Sequence, residues 1–216
     1  MAKPKPSENE IAIRDLYWNY EKNSKRVANL IELYENKLHD GKQGRPSAIS
    51  QDVFRAACVL LHAALEDMLR QARITFFPFD DPKKLDLIGL PGDGKKRPES
   101  FKLGALKDFE GLEVADLIRN CVESHFENFG SISRLNDIMG CLADCRIEDI
   151  EFDKNELARM ISRRHKIVHK GDADREAKGQ GNHKISPINV NDVKSFKKAT
   201  DDFVNKFVDS LRAKYP

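Results

Sequence analysis

The chain has 216 residues, 40% of them hydrophobic and 33% charged, and its formal net charge is +2. This composition fits a soluble single domain over residues 1–216, and the near balance of charge excludes a partner chosen by net charge alone. The first residues lack the apolar core of a signal peptide, and the longest mainly apolar run, near Ala56–Leu65, is too short to span a bilayer. We therefore expect a cytoplasmic protein without a membrane partner.

Two long helices are predicted in the first third of the chain. Ser7-x-x-Glu10 is a capping box, and helical periodicity follows it to about Leu38. A second helix is predicted from near Ser50 to about Ile74. The stretch Val53–Leu69 is apolar on most sides, which is typical of a central buried helix.

The rest of the chain alternates helix breakers with helical segments. The stretch of about 76–107 is rich in proline and glycine, so we expect an insertion with at most short helices. Helical periodicity returns at about Leu112–Phe126, Ser133–Cys145, Asp153–Gly171 and Asn191–Ala213. Asp153 and Asn191 are the predicted N-caps and Gly171 is a predicted C-cap. The sequence therefore predicts an all-α bundle of four or five main helices, with a Pro/Gly-rich insertion after the second helix.

The helix predicted to end at Gly171 carries an arginine where its face should be apolar. At about 100° per residue, Arg164 lies within the apolar stripe, which consists of Leu157, Met160, Ile161, Ile167 and Val168. A buried cation is costly without a partner, so an arginine at this position indicates a specific role. His169 follows five residues later, near the end of the helix.

Two interpretations of this pair are open. In the structural one, cations collect in the last turn of a helix because they oppose its dipole, and Arg164 bridges to a carboxylate such as Glu66 on the second helix. In the chemical one, a histidine moves protons near neutral pH and an arginine holds a phosphate through paired hydrogen bonds. Together they suffice for attack on RNA by its own 2′-hydroxyl without a metal.

The spacing of the pair favours a site shared by two chains. Five residues along one helix place the side chains of Arg164 and His169 roughly 140° apart. If two copies of the helix approach across a two-fold axis, Arg164 of one chain lies near His169 of the other. This shared geometry is a hypothesis that the spacing motivates.

The same residues resemble a known family. Arg164-x4-His169 matches the Arg-x(4–6)-His signature of the HEPN superfamily (higher eukaryotes and prokaryotes nucleotide-binding domains). The string from His165 to Asp172 is similar to versions of that motif that end in Ile-Val-His and a glycine. The stretch Ala63–Arg70 is similar to the family's second core helix with its acidic position. The insertion and the order of helices are most similar to the RiboL-PSP-HEPN branch.

The resemblance implies a metal-independent endoribonuclease without a cofactor, which acts on RNA as a homodimer with a composite active site. Such domains serve as toxins of toxin–antitoxin pairs or as phage-defence effectors, so an antitoxin or another regulatory protein is an implied partner. Carried over by position, Arg164 would polarise the scissile phosphate, His169 would act in proton transfer, and Glu66 would orient one of the two. His165 stands where the family usually has a small polar residue, and its implied role is to assist proton transfer or to orient the phosphate.

A basic patch surrounds these residues. The stretch 157–171 contains no acidic residue, and its cations are the predicted RNA contacts: Arg159, Arg163, Lys166 and Lys170. A rival interpretation is a non-catalytic helical module that binds nucleotide, RNA or a protein partner through the same patch. Loss of turnover in His169→Ala with an intact fold would favour the nuclease. The sequence does not name the RNA target.

Two groupings of potential metal ligands carry less weight. His165 and His169 are four residues apart, a spacing that can place two zinc ligands on one helix face. The usual neighbouring glutamate is missing, and the adjacent cations would repel a metal. Cys141 and Cys145 share a helix face in the same way and are most simply packed cysteines. We therefore expect no metal site.

Overall fold

The part of the chain that the structure describes is built from six α-helices and contains no strand. The computed structural model describes residues 7–39, 46–79, 85, 103–125, 132–144, 147–172 and 186–216. The helices are α1 (Glu8–Leu33), α2 (Ala48–Phe76), α3 (Val114–His125), α4 (Ile132–Leu142), α5 (Lys154–Lys170) and α6 (Val190–Lys214). A π-helical turn, Tyr34–Leu38, extends α1, and 3-10 helices lie at Phe77–Phe79, Leu103–Phe109 and Ile147–Asp149. The predicted all-α class is confirmed.

The second helix, α2, is the centre of the bundle, as the sequence predicts. It packs against α1, α3, α4, α5 and α6. Its buried apolar side chains recur at helical spacing and include Phe54, Cys58, Leu61, Leu65, Leu69 and Phe76. By length and composition, α2 is also the one helix among the described residues that could cross a membrane. Half of its most apolar window is buried inside the bundle, which is equally typical of the core helix of a globular domain.

Two further helices complete the frame around α2. α1 and α6 run antiparallel, since Tyr17 donates a hydrogen bond to Asn205 at 2.9 Å and Tyr20 donates one to Asp201 at 2.7 Å. α5 packs against both α2 and α6. The helix that carries the arginine–histidine motif, α5, therefore packs between two of the longest helices.

The helix ends follow the sequence signals with one correction. The side chains of Ser7 and Asp153 cap α1 and α5 by accepting hydrogen bonds from the backbone three residues further on. Gly171 ends α5 in the left-handed conformation, with φ 58°. The predicted N-cap of α6 is wrong, because Asn189 rather than Asn191 caps that helix. Asn189 and Asp192 each accept a hydrogen bond from the other's backbone N–H, at 3.1 and 3.0 Å, and this reciprocal capping box sets the earlier start.

α2 continues to Phe76, two residues beyond its predicted end near Ile74. The described residues of the predicted insertion are those of the 3-10 helices near its two ends and Leu85, which is partly buried against the core. α4 ends at Leu142, earlier than predicted, and Asp144 just beyond it has a left-handed φ of 51°. Most of the insertion lies outside the described residues.

Candidate functional site

The second half of α5 runs out of the core while its first half stays within it. Leu157, Met160 and Ile161 are buried, whereas Val168, on the same apolar stripe, is 49% exposed. Arg164 is half-buried between these two regions. Ile167 is partly buried against the core, so the predicted stripe is fully buried at Leu157, Met160 and Ile161 and becomes more exposed towards the end of α5.

Arg164 faces α2 near a buried histidine. His62 of α2 is 1% exposed, and burial together with the nearby positive charge of Arg164 lowers the pKa of its imidazole to about 4. His62 is therefore neutral at neutral pH. Its Nδ1 lies 3.6 Å from Oε2 of Glu66, one turn further along α2, and this contact is not an ion pair while His62 is uncharged.

Glu66 does not neutralise Arg164 directly. Within the described part of the chain, Glu66 contacts His62 and pairs with Arg70, whose Nη2 lies 3.7 Å from Oε1. Arg159 and Arg163 of α5 each pair with carboxylates, but no ion pair of Arg164 is found among the described residues. The structural interpretation, a bridge between Arg164 and Glu66, is thus not formed in this conformation.

The two histidines of the motif lie together on the outer side of α5. The ring centroids of His165 and His169 are 4.6 Å apart, and both side chains are exposed. Arg164 points towards α2, so one chain brings His169 next to His165 rather than next to Arg164. This arrangement agrees with the separation expected from the spacing along the helix.

A buried carboxylate, Asp172, fixes the end of α5 to α2. Its Oδ2 accepts hydrogen bonds from Arg163 at 2.6 Å and from Arg55 of α2 at 2.7 Å, and the side chain is 1% exposed. Both arginines also donate to the backbone carbonyl of Ser186, at 2.6 and 3.4 Å. The Ser186 N–H donates in turn to the Asp172 carbonyl at 3.2 Å. The structural ion pair that the sequence suggested for Arg164 is therefore made by its neighbour, Arg163.

Sequence reasoning missed the other two charged members of this cluster, Arg55 and Asp172. Arg55 is a cation at the edge of the apolar stretch of α2, and Asp172 directly follows the C-cap glycine. Asp172 itself has a left-handed φ of 59°, a conformation that aspartate tolerates better than most residues with a side chain. These were the available local signals. The ion pair between Arg55 and Asp172 joins positions 117 residues apart, which no local pattern indicates.

The remaining predicted RNA contacts differ in how they are held. Arg159 pairs with Glu156 and with Asp192 of α6 but is still 55% exposed. Lys166 is exposed, and the side chain of Lys170 lies outside the described residues. The positive charge of the stretch 157–171 is thus partly neutralised by carboxylates that precede or follow it in the sequence, namely Glu156, Asp172 and Asp192.

The described cysteines behave as packed thiols. Cys58 is fully buried, and burial raises the pKa of its thiol to about 12. Burial also raises the pKa of the Cys121 thiol. Neither has the environment of a reactive nucleophile. The prediction that Cys141 and Cys145 are packed cysteines lies outside the described part, because that part includes neither the side chain of Cys141 nor any of Cys145.

Comparison of the chain with family models, with curated proteins and with solved structures gave no match.

Proposed function

We propose that this protein is a metal-independent endoribonuclease of the toxin or phage-defence kind, which acts as a homodimer. Arg164 of one chain would bind the non-bridging oxygens of an RNA phosphate, and His169 of the other would exchange protons at the reacting oxygens. The 2′-hydroxyl attacks the adjacent phosphorus and loses its proton. The 5′-oxygen leaves and gains a proton, so the products carry a 2′,3′-cyclic phosphate and a 5′-hydroxyl.

The observation that carries this proposal is the state of Arg164. Arg164 is half-buried, and its charge acts on the neutral His62 of α2. No ion pair to Arg164 is found in the described part of the chain, whereas Arg159 and Arg163 both have carboxylate partners. A partly desolvated guanidinium without a protein anion favours an anion from outside, and a phosphate accepts its paired N–H donors.

Exposed apolar side chains beside the motif support a second copy of the chain as partner. Val168 of α5, one turn after Arg164, is 49% exposed, and its neighbour Ile167 is only partly buried against the core. A two-fold contact through this surface would cover both side chains and bring two copies of α5 together. The rim of that surface would then hold His165 and His169 of each chain.

The first test is cleavage of mixed cellular RNA by the purified protein in excess EDTA. We expect the wild type to leave cyclic-phosphate ends, and His169→Ala and Arg164→Ala to leave the RNA intact with unchanged circular dichroism. His39→Ala is the matched control, because it removes another exposed histidine, outside α5. If the wild type leaves the RNA intact and His169→Ala still binds RNA, the nuclease interpretation is wrong and the non-catalytic binding module takes its place.

Variants at the patch have to be chosen with its ion pairs in mind. Lys166→Gln removes an exposed cation and is expected to weaken RNA binding and its dependence on salt. Arg163→Gln is unsuitable for this purpose, because it would leave the buried Asp172 without one of its two arginines. Loss of activity in Arg163→Gln would therefore report on folding before it reports on RNA.

The shared site is tested by mixing two inactive variants. In a heterodimer of Arg164→Ala with His169→Ala, one of the two composite sites keeps both residues, so random mixing should restore about a quarter of the wild-type rate. A site built within one chain would stay inactive in the mixture. Val168→Asp should give inactive monomers by light scattering, whereas Val114→Asp, at a position that is 73% exposed on α3, should remain an active dimer.

A further inference from the structure

The pair of exposed histidines on α5 has a geometry that the ribonuclease proposal does not use. His165 and His169 are one turn apart, and their ring centroids are separated by 4.6 Å with the planes tilted by 43°. Both side chains are exposed, so neither ring is fixed by packing in the core. Two imidazoles in this position can turn their nitrogens towards a common point in solvent.

We propose that His165 and His169 form a two-histidine site for a divalent transition ion such as Zn²⁺ or Ni²⁺, and that an ion bound there inhibits the protein. Zinc binds histidine nitrogens at about 2.0–2.1 Å, so a shared ion needs the two ligating nitrogens about 3.3 Å apart. Rings with centroids 4.6 Å apart reach that separation by rotation of exposed side chains. Imidazole is a favoured ligand for both ions.

The cations of the motif oppose such a site less than their positions in the sequence suggest. Arg164 points towards α2, where its charge acts on His62. Arg163 is 15% exposed and pairs with Asp172, a carboxylate that it shares with Arg55. Lys166 remains as an exposed cation on the same turn. No cluster of three or more histidine, cysteine or acidic side chains is found in the described part, so water would complete the coordination.

The inhibitory consequence rests on the proposed ribonuclease function, whereas binding of the ion does not. An ion on His169 occupies the nitrogen lone pair that proton transfer needs. The protein would then be a nuclease that needs no metal and is silenced by one. His165, which departs from the residue usual at this place in the HEPN motif, would provide the second ligand.

Calorimetric titration of the full chain with ZnCl2 and with NiCl2 tests the site itself. We expect saturable binding that weakens by at least about tenfold in His165→Ala and in His169→Ala, because each loses one of two ligands. His39→Ala, which removes a single histidine elsewhere, should bind as the wild type does. Equal binding by all four proteins, or no binding by the wild type, would overturn the proposal.

The rate of RNA cleavage at increasing Zn²⁺ concentration tests the inhibition. Each rate is divided by the rate of the same protein in EDTA. His169→Ala with Zn²⁺ measures cleavage by the ion alone. We expect Zn²⁺ to suppress the wild type and His39→Ala, and His165→Ala to keep most of its own metal-free rate. Binding without suppression would overturn the inhibitory part. A wild type that never cleaves RNA would refute the proposed function, while the titration would still decide whether the ion site exists.

Discussion

Removal of the Asp172 carboxylate should destabilise the fold by about 3 kcal/mol, the lower end of the range for breaking a buried ion pair. The carboxylate is 1% exposed and is shared by two arginines that are 14% and 15% exposed. In Asp172→Ala both guanidinium groups would lose this anion. Arg55 keeps Asp52 and Arg163 keeps the Ser186 carbonyl, which is why we expect the lower end.

Variants at the same position separate the charge from the backbone. Asp172 has a φ of 59°, so alanine adds a conformational cost of about 1 kcal/mol that glycine would avoid and asparagine would reduce. If the ion pair dominates, Asp172→Asn and Asp172→Gly will both be strongly destabilised. If the backbone dominates, Asp172→Gly will be as stable as the wild type.

Urea unfolding followed by far-ultraviolet circular dichroism measures the change in unfolding free energy. For a chain of this size, about 3 kcal/mol corresponds to a fall in Tm of about 6–12 °C. Asp52→Ala is the matched control, because Asp52 pairs with the same Arg55 at 2.8 Å but is 75% exposed. That control should lose less than about 1 kcal/mol. Equal losses in the two variants would refute the assignment of Asp172 as the buried anchor of α5.

Three further predictions concern the helix start and the interior histidine. Asn189→Ala should lower the unfolding free energy by about 1 kcal/mol, because it removes the capping box of α6. Asn191→Ala should leave the unfolding free energy almost unchanged in the same urea assay. The pKa of His62 is lowered from 6.5 to about 4, so the unfolded chain takes up this proton first as pH falls. The unfolding free energy of the wild type should therefore fall by about 3 kcal/mol more than that of His62→Gln between pH 6.5 and 4. Parallel curves of unfolding free energy against pH for the two proteins would refute this. Arg164→Gln should raise the pKa of His62, and an NMR titration that finds the pKa unchanged would show that the Arg164 charge does not reach it.

Local patterns were enough to predict the class of the fold. Capping residues and apolar periodicity act within a few residues, and they placed Ser7, Asp153 and Gly171 at helix ends. The error at Asn191 arose because two asparagines lie two positions apart, and only one has Asp192 three residues after it. The central position of α2 followed from its apolar character on most sides.

The candidate site was less predictable because its environment is set by other helices. The sequence shows two adjacent arginines in α5, but successive side chains point about 100° apart. Arg163 therefore pairs with Asp172, which also pairs with Arg55. The charge of Arg164 instead acts on His62 of α2. Which arginine becomes structural depends on Asp172, just beyond the end of α5, and on Arg55 of α2, which is 117 residues from Asp172 in the sequence.

The hydrogen bond between Asp172 and Ser186 has a consequence for where this chain can be altered. It brings together the two ends of residues 173–185, so the chain leaves α5 and returns towards α6 at one point. A connection whose ends already meet can be lengthened at little cost, since the entropy of closing a chain segment grows slowly with its length, by about 0.6 kcal/mol for each doubling. This position is therefore where the chain can accept an added peptide, a reporter domain or new termini without a change in the helices on either side.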